Sequence, residues 1–164
     1  MTQRDIMEKD TILYREYIKE LRVYAPEWLE PETFPIWEGT VKEYLSDPFS
    51  EWIHIKEQGS NEDIGFVIIA RQGGDCHPDA NFTIAQSFVK KEYRNKGYMT
   101  EAIVKFAKKH KGIYCYDVLK GNNLADLFWE TLFTEKLNAK RVYLPEVRGI
   151  MERKYLNLYG YRVK

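Results

Sequence analysis

The feature that most constrains this chain is a change of apolar period that recurs through its second half. Phe82, Ile84 and Phe88 are spaced by two or four residues, as along a strand. Met99, Ile103, Phe106, Ala107 and His110 then share one face of a helix. Ile113 to Leu119 reads as a strand again, Leu124, Leu127, Phe128, Thr131 and Leu132 as a helix, and Arg141 to Leu144 as a strand. Strands and helices in alternation bury their apolar faces best as a layered sheet with helices against it, an α/β or α+β arrangement. Upstream, Trp52 to Ile55 predicts a strand, Gly59-Ser60-Asn61 its turn, and Gly65 to Arg71 a buried strand. Leu13, Tyr17, Leu21 and Tyr24 recur at i, i+4, which predicts a helix opened by Asp10 as its cap and ended by Pro26. Residues 2–7 predict a short opening strand, and Ile36 to Leu45 a second helix before Pro48. The tail predicts one more helix and a closing strand near Tyr159-Gly160-Tyr161.

With 164 residues and no repeat or linker, the chain predicts a single domain, 1–164. Apolar residues at 44% and aromatics at 15% argue against a disordered class. Twenty-five basic and 25 acidic residues cancel, which disfavours a general nucleic-acid coat. The longest apolar run, Phe66 to Ala70, is too short to span a bilayer. Charges at Arg4, Asp5, Glu8, Lys9 and Asp10 leave no apolar core for a signal peptide. Two cysteines, Cys76 and Cys115, make neither a disulfide framework nor a metal cluster, so the expectation is a reducing cytoplasm and no metal.

The zero net charge hides a segregation. Residues 27–51 hold seven acids against Lys42, while residues 89–120 hold nine bases against Glu92, Glu101 and Asp117. Inside the basic window lies Val89-Lys90-Lys91-Glu92-Tyr93-Arg94-Asn95-Lys96-Gly97-Tyr98-Met99-Thr100, a strand end turning into a helix. A helix N-terminus offers unpaired N–H groups and a positive dipole end, a natural seat for phosphate. Gly97 lacks a Cβ and lets an anion approach, and Arg94 and Lys96 add charge. Neither Gly-x4-Gly-Lys-Ser/Thr nor Gly-x-Gly-x-x-Gly is present, which removes support for nucleotide hydrolysis and dinucleotide binding.

The stretch Arg94-Asn95-Lys96-Gly97-Tyr98-Met99 resembles the Gln/Arg-x-x-Gly-x-Gly/Ala pyrophosphate loop of the GCN5-related N-acetyltransferases (GNATs). Phe88 to Tyr93 resembles the strand end that leads into that loop, and Asn122-Asn123-Leu124-Ala125 with Leu127-Phe128-Trp129 resembles the later Asn-x-x-Ala-x-x-x-Tyr stretch. The element order is similar over nearly the whole chain. The resemblance implies a mixed, mostly antiparallel sheet of about six or seven strands flanked by helices, with acetyl-CoA as co-substrate. There are two departures. Met99 stands where the family has a small residue, which is tolerable if its side chain turns into the core, since backbone N–H groups bind the phosphates. Trp129 stands where many members carry a Tyr acid, and indole cannot supply that proton.

What the resemblance implies is acetyl transfer to a primary amine by direct attack on the thioester. The diphosphate would lie on Arg94, Asn95, Lys96, Gly97, Tyr98, Met99 and Thr100, and the pantetheine arm between strands 82–89 and 113–119. The N–H of Val89 or Phe88 would polarise the thioester carbonyl, and Asn122 or Asn123 would hold the arm. A base must take the amine's proton. The family's Glu position falls near Thr83, so Asp79 and Tyr116 are the candidates, with His77 read as a loop histidine and Asp117 as a strand-end carboxylate. Trp28, Trp37 and Glu38 in the acidic segment would line the acceptor site and hold a cationic amine. The resemblance also allows a homodimer; from the charge balance and the short apolar runs, no nucleic-acid or membrane partner is expected. The competing reading is a CoA-binding or sensing module on the same fold without turnover, which the missing Tyr and Glu favour.

Overall fold

The computed structural model describes residues 2–26 and 34–164; for Gln3 and residues 34–37 only the backbone is described. Trp28 lies outside the described residues, and Trp37 is placed only as part of a helix.

Helix α1 spans Gln3–Leu21, where the sequence predicts a strand for residues 2–7. Thr2 is its cap: the Asp5 N–H donates to the Thr2 hydroxyl, and the Thr2 N–H donates to the Asp5 carboxylate at 2.9 Å. This reciprocal pair satisfies two otherwise orphaned donors and starts the helix eight residues before Asp10. Asp10 is instead fully buried in mid-helix, with both carboxylate oxygens 3.0 Å from Nε2 of His54.

Helix α2 (Phe34–Ser46) precedes strands β1 (Ser50–Lys56), β2 (Asp63–Arg71) and β3 (Phe82–Val89). Helix α3 (Tyr98–Lys109) crosses to β4 (Gly112–Leu119), and α4 (Asn123–Thr131) runs on into a wider π-turn at Leu132–Lys136. Strand β5 is only Lys140–Arg141, shorter than the predicted 141–144 strand. Helix α5 (Ile150–Tyr155) ends before β6 (Leu156–Val163), which places Tyr159-Gly160-Tyr161 inside the last strand.

The strands form one mixed sheet of order β1-β2-β3-β4-β6-β5, antiparallel except for β3 beside β4. One face carries Val67, Ile69, Ile84, Tyr114, Tyr116 and Val118 under Ile103 and Phe106 of α3 and Trp129 of α4. The other face carries Phe66, Ile68 and Phe88 under Leu13, Tyr14 and Ile18 of α1 and Val41 of α2. Residues alternate faces along a strand. On β4, Tyr114, Tyr116 and Val118 therefore go to the α3–α4 side, and Cys115 and Asp117 go to the α1–α2 side.

Two irregularities position the site. Ile68 pairs with Gln86 but Ile69 pairs with Ile84, so Ala85 is an extra residue that bends β3. Beyond the bend β3 leaves β4: they pair only from Phe82 to Ile84 against Tyr114 to Tyr116. Past that point β3 stays on β2 and β4 stays on β6.

Candidate acyl-CoA site between strands β3 and β4

The parting of β3 from β4 exposes main-chain groups inside an otherwise paired sheet. Val89 stands opposite Gly65, and the Lys90 N–H donates to the Ile64 carbonyl at 2.8 Å. That bond directs the Lys90 and Phe88 N–H groups toward β2, so alternation turns those of Ser87 and Val89 toward the gap. The sequence leaves Phe88 and Val89 as alternatives for polarising a carbonyl; only Val89 presents its N–H to the gap. Phe88 instead buries its ring beneath α1. The Ser87 N–H, turned the same way by the register that the bulge at Ala85 sets, is engaged by the Tyr17 hydroxyl of α1.

Beyond Val89 the chain makes a 3₁₀ turn at Lys91–Tyr93 and enters α3 through two left-handed residues, Asn95 (φ 62°) and Gly97 (φ 84°). Asn is among the side chains that tolerate this region, and Gly adopts it without a steric cost. The first helical bond runs from the Glu101 N–H to the Gly97 carbonyl at 2.9 Å, leaving the N–H groups of Tyr98, Met99 and Thr100 without helical acceptors. A Cβ built on Gly97 meets nothing within 4 Å, so the mouth of α3 is open. Met99 packs against Val89 and Ile55, turned inward as its position required. The Tyr98 hydroxyl accepts from the Gln58 N–H at 3.2 Å, which ties the loop to the β1–β2 turn.

Arg94 does not point its charge at this mouth. Its Nε donates to the Val89 carbonyl at 2.8 Å, and an Nη pairs with the Glu20 carboxylate of α1 at 2.6 Å. Its guanidinium also lies 5.6 Å from the centre of the Phe88 ring. Arg94 thus braces the end of β3 against α1, a correction to its reading as a phosphate ligand. Lys96 is exposed, with Nζ 5.7 Å from the Tyr93 ring centre, and remains a loose cation at the mouth.

Asn122 caps α4, its side-chain oxygen accepting from the Ala125 N–H at 3.3 Å. Asn123 is the exposed first residue of that helix. Trp129 is buried, its ring tilted against that of Tyr116 with centroids 5.5 Å apart. Tyr116 is itself 2% exposed within a stack of Tyr159, Phe133 and Tyr161, and burial drives its hydroxyl far above the ordinary phenol range. It packs the core on the face away from Asp117 and is not placed to serve as a base.

Where β3 and β4 part, a cleft of about 330 Å³ opens on the α1–α2 face. Thr83, Ala85 and Gln86 line one side, and Cys115 and Asp117 the other. Loop 75–78 and the Val147–Glu152 segment close its far end. Arg148 crosses the cleft wall, pairing with Asp117 and holding Glu146 through Nε and an Nη, each at 2.8 Å. The hydrogen bonds from Arg148 lower the Glu146 carboxyl to about 2, with burial opposing them. Burial raises the Asp117 carboxyl above the ordinary aspartate range, with Arg148 opposing it. Gln86, which lines the cleft, is held from behind: Tyr17 of α1 donates to its Oε1, and its amide donates to the Tyr44 hydroxyl at 3.2 Å.

Asp79 is exposed on the β2–β3 loop and does not line this cleft. His77, read as a loop histidine, is buried: Nε2 donates to the Pro145 carbonyl at 2.8 Å and Nδ1 accepts from the Asp79 N–H at 3.0 Å. Glu38 is half-buried on α2 and also lies outside the cleft.

No protein-family model matches the chain, and no curated protein matches it in sequence. Solved structures do match in fold. An acetyltransferase from Thermus thermophilus superposes with a TM-score of 0.65 at 14% identity, covering 95% of this chain and 92% of that one. A GNAT-family acetyltransferase from Bacillus anthracis gives 0.62 at 16% identity, over 94% and 89%. The microcin C7 self-immunity acetyltransferase MccE, solved with acetyl-CoA and AMP, gives 0.58 at 12% identity, over 93% and 87%. The chain has the fold of the GCN5-related N-acetyltransferases. Among the described residues, no three His, Cys, Asp or Glu side chains gather as metal ligands, and no helix is long and apolar enough to cross a membrane.

Proposed function

We propose that the chain is a single-domain, acetyl-CoA-dependent N-acetyltransferase that acts on a primary amine in the cytoplasm. The observation that carries this reading is the parting of β3 from β4 beside the open, glycine-bearing mouth of α3. The diphosphate of acetyl-CoA takes the N–H groups from Asn95 to Thr100, with the α3 dipole and Lys96 supplying positive potential. The pantetheine arm lies in the gap and pairs with free main-chain groups of β3 as an added strand would. Asn122 or Asn123 borders the arm from the start of α4.

The Val89 N–H stabilises the oxyanion as the amine adds to the thioester carbon. One such donor is worth roughly 10²–10³ in rate. The amine reaches that carbon from the cleft on the α1–α2 face. Carbon–nitrogen bond formation and carbon–sulfur cleavage then release CoA as a thiolate. A thiol pKa of about 8.5 makes that a fair leaving group near neutrality, which fits a Trp at position 129.

The test follows free thiol in an assay of acetyl-CoA with putrescine, spermidine, benzylamine and a lysine peptide. Thiol release that depends on an amine and falls in Gly97→Glu supports the reading. Binding without turnover on any amine would mark a CoA-binding module instead, and no binding would remove both.

A further inference from the structure

The proposed reaction needs a proton acceptor beside the attacking amine, and the sequence candidates Asp79 and Tyr116 both lie away from the cleft. Resting on that reading of the site, we infer that Asp117 of β4 accepts the proton of the acceptor amine.

Three observations converge on this residue. Tyr116 is the last β4 residue paired with β3, so Asp117 stands at the point where the two strands part. Alternation along β4 directs its side chain to the α1–α2 face, where it lines the cleft opposite Ala85 and Gln86. Arg148 pairs with Oδ1 of the carboxylate and is itself held by Glu146, so the Asp117 side chain is oriented from one side while it stays partly exposed in the cleft.

The other ionisable groups around the cleft fit the role less well. Glu146 is committed to Arg148 and held at about 2, too weak a base. Both nitrogens of His77 are committed to backbone partners. Cys115 lines the cleft but is almost wholly buried, its thiol pushed by burial to about 12. Cys76 is half-buried, its thiol also raised by burial. The Tyr17 hydroxyl is engaged with Gln86 and raised by burial, with Tyr44 and then Asp117 adding to the shift. Asp75, which adds a weak negative field at Asp117, is exposed, and Glu152 lies on α5 at the outer end.

In the transfer step the neutral amine forms a C–N bond to the thioester carbon, and the carbonyl electrons move to oxygen. The excess proton on nitrogen passes to an Asp117 oxygen, directly or through one water. The adduct collapses with C–S cleavage, the thiolate leaves with its electron pair, and Asp117 returns its proton to solvent through the cleft. A positioned base of this kind contributes about 10²–10⁴ in rate.

The experiment compares wild type with Asp117→Asn, which keeps shape and an acceptor oxygen for Arg148. Acetyl-CoA affinity is measured by calorimetry and turnover by thiol release with the four probe amines from pH 5 to 9. The expected result is unchanged acetyl-CoA affinity, kcat/KM lower by ~10²-fold or more, and loss of the acidic limb of the profile. A variant within threefold of wild type, or one that keeps the limb, overturns the inference. So does a wild type that binds acetyl-CoA but releases no thiol with any probe, whereas absence of acetyl-CoA binding overturns the reading of the site itself. Should Asp117→Asn fail to fold, Arg148→Gln serves. Losing the cation that depresses the Asp117 pKa moves the acidic limb to higher pH, and an unmoved limb overturns the inference.

Discussion

Gly65→Ala tests how closely the sheet is built around the proposed oxyanion donor. A Cβ at position 65 would lie 2.2 Å from the Phe88 carbonyl oxygen, 2.9 Å from the Val89 Cα and 3.1 Å from the Phe88 carbonyl carbon. All three are backbone atoms, so no rotamer change relieves the contact. Non-bonded heavy atoms settle at about 3.5 Å, so the end of β3 must move away by roughly 1 Å. Overpacking of this kind costs about 1–3 kcal/mol. In a domain of this size each kcal/mol lowers Tm by roughly 2–4 °C, so the midpoint falls by about 2–12 °C. The same displacement carries the Val89 N–H, and a 1 Å error at a reacting centre costs on the order of 10² in rate. Urea unfolding reads the first effect and thiol release with a probe amine reads the second. A Gly65→Ala protein with wild-type stability and turnover would refute the reasoning about this strand end.

Gly97→Ala is the contrasting case. Its Cβ meets open space, so the cost is only the left-handed backbone, about 1–2 kcal/mol, yet acetyl-CoA affinity falls because the methyl stands where the diphosphate is proposed to sit. Arg94→Lys keeps a cation for Glu20 but loses the Nε–H bond to the Val89 carbonyl; steady-state kinetics should show kcat falling further than the calorimetric affinity. The Asp10 hydrogen bond raises His54 above the ordinary histidine range, with burial opposing it. The pair's contribution is therefore fully present below the unfolded value of about 6.5 and is lost as pH rises through the raised folded value. The stability difference between wild type and His54→Gln should shrink from pH 6 to pH 9 in urea titrations; a difference that is constant or grows refutes the pairing.

Much of the fold was legible because it is locally encoded. The apolar spacing of 82–88, 99–110 and 113–119 marks two strands and the helix between them, and Gly97 marks the open entrance to that helix. The misreadings have non-local causes. Asp10 resembles a helix cap in sequence, but its partner His54 lies 44 residues away on β1. The true cap, Thr2, works through Asp5 in a reciprocal pattern that apolar spacing does not reveal. The bulge at Ala85, which sets the register that turns the Val89 N–H to the gap, carries no glycine or proline to announce it. Arg94 reads as a phosphate ligand until α1 brings Glu20 to it. Asp117 reads as a strand-end carboxylate because its importance depends on where a neighbouring strand stops pairing. Tyr116, one residue earlier, falls on the opposite face, so a choice between the two turns on strand parity and on which face is open.

The central claim is that the main-chain N–H groups at the mouth of α3 bind the diphosphate of acetyl-CoA. Titration calorimetry of acetyl-CoA into wild type and Gly97→Glu tests it most directly. Saturable one-to-one binding to wild type is expected, with an affinity at least ~10-fold weaker in the variant, a loss of about 1.4 kcal/mol or more. Equal affinities, or a wild-type titration without heat and without competition by free CoA, would contradict it.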